Sequence, residues 1–106
     1  MAWIYLFIAG ILEIVFAVGM KYTEGFTRLV PSVLTIATAI TSVMILSQSL
    51  KILPIGTAYA VWTGIGAVGT TIVGMYLFDE PRDWLRILCI LVIIGGIAGL
   101  KFASAE

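Results

Sequence analysis

Four long apolar runs, separated by short polar segments, dominate the pattern of side chains along this chain. The runs cover about residues 3–21, 31–50, 57–78 and 84–102. A helix needs roughly 20 mostly apolar residues to cross a bilayer. The strands of a membrane barrel are shorter and alternate polar with apolar positions, which these runs do not. We therefore predict an all-α membrane protein in which four transmembrane helices form a single domain over residues 1–106.

The composition supports a protein of the bilayer. Hydrophobic residues make up 61% of the chain and charged residues 11%, whereas about a quarter of the residues of a soluble domain are charged. The net charge is zero, so no basic surface for nucleic acid is indicated. The chain has no His and a single Cys, Cys89, so neither an intrachain disulfide nor a metal site is expected. We expect no cofactor and no enzymatic activity.

The orientation of the chain in the membrane is weakly specified. We expect the first run to be a retained span rather than a signal peptide, because no basic residue precedes it and Glu13 lies inside it. The connections on one side of the membrane carry four basic residues and the other side carries two: Lys21, Arg28, Arg82 and Arg86 against Lys51 and Lys101. Because the positive-inside rule acts on larger imbalances, this pattern permits insertion in both orientations.

Glu13 is the only ionisable residue well inside an apolar run. A charged side chain at the bilayer centre costs at least about 2.5–3.5 kcal/mol on insertion scales, so we interpret Glu13 as functional. Removal from water favours the protonated acid, and two such groups from two chains would titrate as a unit. An acid that holds a proton until a cation arrives suits an antiporter. The alternative is a protonated acid that bonds a hydroxyl and has no role in transport.

Small and polar residues surround this position. Gly10 and Ala17 share a helix face with Glu13, and Phe16 lies beside them. Ser42, near the middle of the second run, is placed to hydrogen-bond a carboxylate across helices. The alternative for Ser42 is a hydrogen bond to a carbonyl of its own helix.

The third run carries aromatic residues followed by glycines. Tyr59 and Trp62 share a face, and either is also compatible with the membrane interface, where aromatic residues are enriched. Trp62 lies deeper, so its indole N–H needs a partner such as a carboxylate, and its ring face can hold a cation. Gly64 and Gly66 follow. They indicate either a bend that lets the helix change shape or a site of close helix packing.

A solute pathway requires more than one copy of this chain, because four helices pack with a filled centre. In the fourth run, Gly95 and Gly99 form a small-xxx-small pair that lets two helices approach closely. The pair predicts a contact either between two chains or within one.

Three features together resemble the small multidrug resistance family of four-helix, proton-coupled exporters. They are Glu13, the segment KYTEGFTRLVPS over residues 21–32, and the segment PIGTAYAVWTGIGA over residues 54–67. The resemblance covers essentially the whole chain. Within the family, Thr57 and residues 62–67, together with Gly10, Ser42 and Ala60, resemble the guanidinium exporter branch.

The resemblance implies a multi-pass protein of the bacterial cell (inner) membrane that acts as an antiparallel homodimer with dual topology. It implies that two Glu13 residues form one central site where protons and substrate compete. Trp62 and Ser42 would orient the carboxylates, and Tyr59 would switch between the subunits. The implied function is proton-coupled export of guanidinium and small substituted guanidinium cations.

Phe16 departs from the guanidinium branch, which usually has Trp at this position. Phe keeps an aromatic face and loses an indole donor, and sites that read hydrogen bonds discriminate more sharply than apolar ones. The alternative function within the family is therefore a broader exporter of quaternary ammonium and other lipophilic cations. The alternative outside transport is a membrane assembly subunit.

Overall fold

The computed structural model describes residues 2–103 and places them in four helices. Helix α1 spans Ala2–Tyr22, α2 Leu29–Ser49, α3 Ile55–Leu77 and α4 Trp84–Ala103. All four are long and apolar enough to cross a membrane, and residues 2–103 contain no strand. The prediction of an all-α protein with four membrane-crossing helices is confirmed.

Two prolines mark where helices begin. Helix α2 starts at Leu29, two residues before the predicted run, and takes in Pro31 in its first turn. Proline is tolerated there because the first amides of a helix have no helical acceptor. Helix α3 starts directly after Pro54, whose backbone is extended, so it also begins two residues before the predicted run.

The connection between α3 and α4 supplies a hydrogen-bond donor to the C-terminal end of α3. Arg82 Nη2 donates a hydrogen bond to the carbonyl oxygen of Met75 at 2.6 Å, one of the terminal carbonyls that a helix leaves without a partner. Arg86 pairs with Asp83 at 3.0 Å. The charged residues of this connection therefore satisfy groups at the helix ends, away from the apolar middle of the molecule.

The four helices form a flat slab with principal dimensions of 43 × 35 × 16 Å. Within residues 2–103, α1 packs against both α2 and α3, whereas the backbone of α4 approaches α3 alone. The buried apolar core lies where α1 begins, α2 ends and α3 begins, and consists of Ala2, Trp3, Leu6, Ala9, Leu46, Leu53, Ala58 and Val61. Glu13 lies one helical turn beyond this core.

Helix α4 is largely uncovered by the rest of the described chain. Ile90 is its buried residue, whereas Leu91 and Val92 are 58% and 66% exposed. A Cβ added at Gly95 or Gly99 would meet nothing within 4 Å. These two glycines therefore make no close contact within residues 2–103, and a contact between two chains stays a prediction.

Candidate functional site

An open cavity of about 410 Å³ lies between α1 and α3, a volume within the range of small-molecule sites. Its lining combines one carboxylate, two aromatic residues, three threonines and three small residues. They are Glu13, Ala17, Tyr59, Trp62, Thr63, Gly66, Ala67, Thr70 and Thr71. The structure thus brings five of the residues singled out from the sequence to one cavity: Glu13, Ala17, Tyr59, Trp62 and Gly66.

The Glu13 side chain lies directly on the backbone of α3 at Gly66. A Cβ at residue 66 would lie 2.5 Å from Glu13 Cγ and 3.4 Å from Glu13 Cβ. Real carbon atoms in contact are about 3.5–4.0 Å apart, so any side chain at residue 66 would displace the glutamate. Gly66 therefore sets how closely the carboxylate approaches α3.

The Glu13 carboxylate has no partner within residues 2–103. None of the hydrogen bonds or ion pairs formed among these residues reaches it, although the side chain is partly buried. A carboxylate removed from water is costly unless it is paired or protonated. Glu13 is consequently available to a proton or to a cation that enters the cavity.

A chain of hydrogen bonds joins three helices behind the cavity. The indole Nε1 of Trp62 donates to Ser42 Oγ at 3.0 Å, and the Ser42 hydroxyl donates to the carbonyl oxygen of Ala9 at 2.8 Å. Ser42 is 1% exposed. The sequence suggested a carboxylate as the partner of both Ser42 and Trp62, but both donors are engaged elsewhere. The chain instead fixes the Trp62 ring as a wall of the cavity.

Tyr59 and Trp62 form an aromatic pair at the cavity. Their ring centroids are 5.6 Å apart, with the planes tilted by 55°, and Tyr59 is 57% exposed. Aromatic faces attract cations within about 6 Å of the ring centre. The pair therefore supplies a second feature, besides the carboxylate, that suits a positively charged ligand.

Besides Ser42, two of the predicted lining residues, Gly10 and Phe16, lie outside this cavity. Gly10 is buried against Ile65, and a Cβ there would lie 2.6 Å from Ile65 Cγ2, so Gly10 allows α1 and α3 to approach. Phe16 is partly buried on α1 and is not part of the cavity lining. Their direct contact with substrate stays a prediction.

The glycines of α3 take part in close packing. A Cβ at Gly64 would lie 3.0 Å from Ile97 Cδ1, and Gly66 lies under Glu13. Helix α3 continues through both positions without interruption. Of the two interpretations made from the sequence, close packing is visible in this conformation, and a conformational bend stays a prediction.

The three threonines of the cavity were not singled out from the sequence. The Thr63 hydroxyl donates to the Tyr59 carbonyl at 2.8 Å, and the Thr71 hydroxyl donates to the Ala67 carbonyl at 2.7 Å. Thr70 Oγ1 is buried without a partner within residues 2–103. Trp62, Gly66 and Thr70 follow one another at intervals of four residues, which places them on one helix face. This spacing is the feature of the sequence that indicates Thr70.

A larger groove of about 850 Å³ lies between α1, α3 and α4, and it does not suit a cation. Its lining is mostly apolar, with Phe7 and Ile94 among the side chains, and includes no carboxylate. Lys101 lines the groove, and its Nζ lies 4.7 Å from the centre of the Trp3 ring. A positive charge there repels cations, so the cavity beside Glu13 is the candidate site.

Comparison with known proteins gives a family for the chain. A profile of the family described as Small Multidrug Resistance protein matches residues 1–93. The guanidinium exporter of Proteus vulgaris is 59% identical over 104 residues, which cover 98% of this chain and 100% of that protein. The guanidinium exporters of Citrobacter freundii and Yersinia pestis are each 55% identical over 104 residues, which cover 98% of this chain. The matched residues cover 99% of the Citrobacter freundii protein and 100% of the Yersinia pestis protein.

These similarities extend over nearly the full length of the chain. With its four membrane-crossing helices, the protein is a multi-pass protein of the bacterial inner membrane and a transporter rather than an enzyme. The profile match and the full-length relatives together show that the chain belongs to the small multidrug resistance family.

Proposed function

We propose that this protein exports guanidinium and small substituted guanidinium cations in exchange for protons. The observation that carries the proposal is the Glu13 carboxylate, which has no partner within residues 2–103 and lines a cavity walled by Tyr59 and Trp62. Relatives that are 55–59% identical over their full length and are named guanidinium exporters support the choice of substrate.

The chemistry of the cavity fits this substrate class. Guanidinium is planar and carries several N–H donors, which match a carboxylate in bidentate geometry. The neighbouring ring faces of Tyr59 and Trp62 add an attraction for positive charge. A proton and a guanidinium ion compete for the same Glu13 oxygens, so binding of one releases the other. Guanidinium affinity therefore falls as the pH falls.

The working unit in this proposal is an antiparallel homodimer with dual topology. The slab is 16 Å thick and its cavity is open, so a second copy is needed to enclose a substrate. Gly95 and Gly99 have open space beside them, which suits a close helix contact between copies. The four-to-two distribution of basic residues permits both orientations. Two Glu13 carboxylates then form one central site.

Alternating access in this proposal depends on residues of α3. Tyr59, which is 57% exposed, changes its contacts between the subunits as the dimer opens to either side. The hydrogen bond from Trp62 to Ser42 holds the indole ring beside the carboxylate during the cycle. Gly64 and Gly66 give α3 the freedom to bend.

Exchange in liposomes tests the role of Glu13. Purified protein is reconstituted with a pH-sensitive dye inside, and a guanidinium gradient is applied. The wild type is expected to move protons against guanidinium. Glu13→Gln removes the titratable group while keeping its size, so coupled exchange should be abolished. Glu24→Gln, which changes an exposed acid in the connection after α1, is the matched control. Proton-coupled exchange by Glu13→Gln would show that the mechanism is wrong.

The same liposomes separate the alternatives. The aromatic pair also suits cations without N–H donors, so guanidinium and tetrapropylammonium are compared side by side. Faster transport of tetrapropylammonium would indicate the broader exporter of quaternary ammonium and lipophilic cations. Absence of pH-dependent binding of either cation, with Glu13→Ala tolerated, would indicate an assembly subunit.

A further inference from the structure

We propose that Thr70 is a further substrate-site residue, whose hydroxyl hydrogen-bonds a guanidinium-type cation held by Glu13. The inference rests on the proposed function and adds a residue that sets selectivity between cations with and without N–H groups. It is carried by two observations. Thr70 lines the cavity that contains Glu13, and its buried Oγ1 has no hydrogen-bond partner within residues 2–103.

The position of Thr70 follows from the helical repeat of α3. Trp62, Gly66 and Thr70 are spaced by four residues, so they lie along one face of the helix. Glu13 rests on Gly66, which places it between the ring of Trp62 and the side chain of Thr70. Residues four apart on a helix have Cβ atoms about 5–6 Å apart. A small planar cation beside Glu13 is therefore near the Thr70 side chain, and rotation of that side chain turns its buried Oγ1 toward the cation.

Thr70 differs from the other threonines of the cavity in its hydrogen bonding. The hydroxyls of Thr63 and Thr71 donate to carbonyls of their own helix at 2.8 and 2.7 Å. Thr70 makes no such bond, although helical threonines commonly do. A buried hydroxyl without a partner is unfavourable, and a ligand with hydrogen-bonding groups relieves that cost.

The chemistry of the hydroxyl distinguishes between substrate classes. A threonine hydroxyl has one donor and two acceptor lone pairs. It can donate to the ionised Glu13 carboxylate while it accepts a hydrogen bond from an N–H of guanidinium. A quaternary ammonium ion has no N–H and gains nothing from the acceptor. Thr70 thus favours guanidinium over quaternary ammonium ions. The Trp62 indole N–H cannot fill this role, because it is a donor only and already bonds Ser42.

The test measures the dissociation constants of guanidinium and tetrapropylammonium for the purified full-length protein. Wild type and variants are compared at the same pH, and the wild type is also measured at a lower pH to show competition by protons. Thr70→Val keeps the shape of the side chain and removes the hydroxyl. We expect the Kd for guanidinium to rise about tenfold, the effect of one hydrogen bond to a charged group. The Kd for tetrapropylammonium should stay unchanged. Thr70→Ser, which restores a hydroxyl, should recover guanidinium affinity. If Thr70→Val does not fold, Thr70→Ala takes its place.

Two further variants serve as comparisons. Thr71→Val removes a cavity hydroxyl that already has a carbonyl partner, so its loss of guanidinium affinity should be smaller than that of Thr70→Val. Thr41→Val changes an exposed threonine on α2 whose hydroxyl bonds the Ala37 carbonyl, and should bind as the wild type does.

Two results would overturn the inference. One is wild-type guanidinium affinity in Thr70→Val, and the other is an equal loss for both cations, which indicates a general packing defect. The proposed function fails separately, when the wild type itself shows no guanidinium binding that protons compete with. If protons compete with guanidinium in the wild type and Thr70→Val binds guanidinium with wild-type affinity, only the role proposed for Thr70 is wrong.

Discussion

Gly66→Ala tests the contact between α1 and α3 that positions Glu13. The added Cβ would lie 2.5 Å from Glu13 Cγ and 3.7 Å from Glu13 Cδ. Because carbon atoms in contact prefer about 3.5–4.0 Å, Glu13 Cγ or the α3 backbone has to move by roughly 1 Å. Cγ is close to the backbone and not at the flexible end of the side chain. The movement therefore shifts the carboxylate or separates the two helices.

The expected effect on function is larger than the effect on stability. Overpacking a well-packed site costs about 1–3 kcal/mol, and replacing Gly by Ala in a helix recovers about 1 kcal/mol. The free energy of unfolding should therefore fall by about 0–2 kcal/mol. Misplacing a reacting group by about 1 Å can reduce activity about 100-fold. We expect guanidinium-driven proton exchange in liposomes to fall by at least about tenfold.

Two other glycines of α3 provide matched controls. A Cβ at Gly56 would meet nothing within 4 Å, so Gly56→Ala should exchange at the wild-type rate. A Cβ at Gly64 would lie 3.0 Å from the end of the Ile97 side chain, which can move aside. The exchange rate of Gly64→Ala should therefore lie between those of Gly56→Ala and Gly66→Ala. Thermal unfolding in detergent, followed by circular dichroism, gives the stability of each variant.

Wild-type exchange in Gly66→Ala would show that Gly66 does not set the position of Glu13. Equal losses in Gly66→Ala and Gly56→Ala would also contradict this role of Gly66, because they would trace the effect to a stiffer helix rather than to the displacement of Glu13.

Two more predictions address the hydrogen bonds behind the cavity and the assembly of the protein. Ser42→Ala removes the acceptor of the Trp62 indole N–H. The free energy of unfolding should fall by about 1–3 kcal/mol, and the tryptophan fluorescence should shift. Unchanged unfolding and fluorescence would mean that this hydrogen bond contributes nothing to stability. Gly99→Leu adds a side chain where the described chain leaves open space, so helix content should persist while the dimer fraction, measured by cross-linking in liposomes, falls. An undiminished dimer fraction would place the subunit contact elsewhere.

Much of the fold could be predicted from the sequence, because a membrane-crossing segment must satisfy the hydrogen bonds of its own backbone. In hydrocarbon every amide needs a partner within the segment, so each apolar run of about 20 residues becomes a helix whatever its neighbours are. The starts of α2 and α3 each differed from the prediction by two residues, at Pro31 and Pro54. Glu13 was found by the same physical argument, since a charge inside an apolar run is costly enough to indicate a function.

Which side chains meet could not be predicted in the same way. Helices that are apolar all round carry little information about which face turns inward, so the sequence does not determine the partner of each polar group. From spacing alone, Ser42 and Trp62 were both candidates to bond a carboxylate, yet they bond each other and the Ala9 carbonyl.

The sequence by itself determined four membrane-crossing helices, because hydrocarbon requires each segment to pair its own backbone groups. It also indicated Glu13, because an acid inside an apolar run is costly. Only the tertiary structure decided that Glu13 lies on Gly66 and that the Thr70 hydroxyl, unlike that of Thr71, is left without a partner within residues 2–103. Both features depend on how closely α1 approaches α3 and on which rotamers that packing allows. The pattern of apolar residues along the chain determines neither.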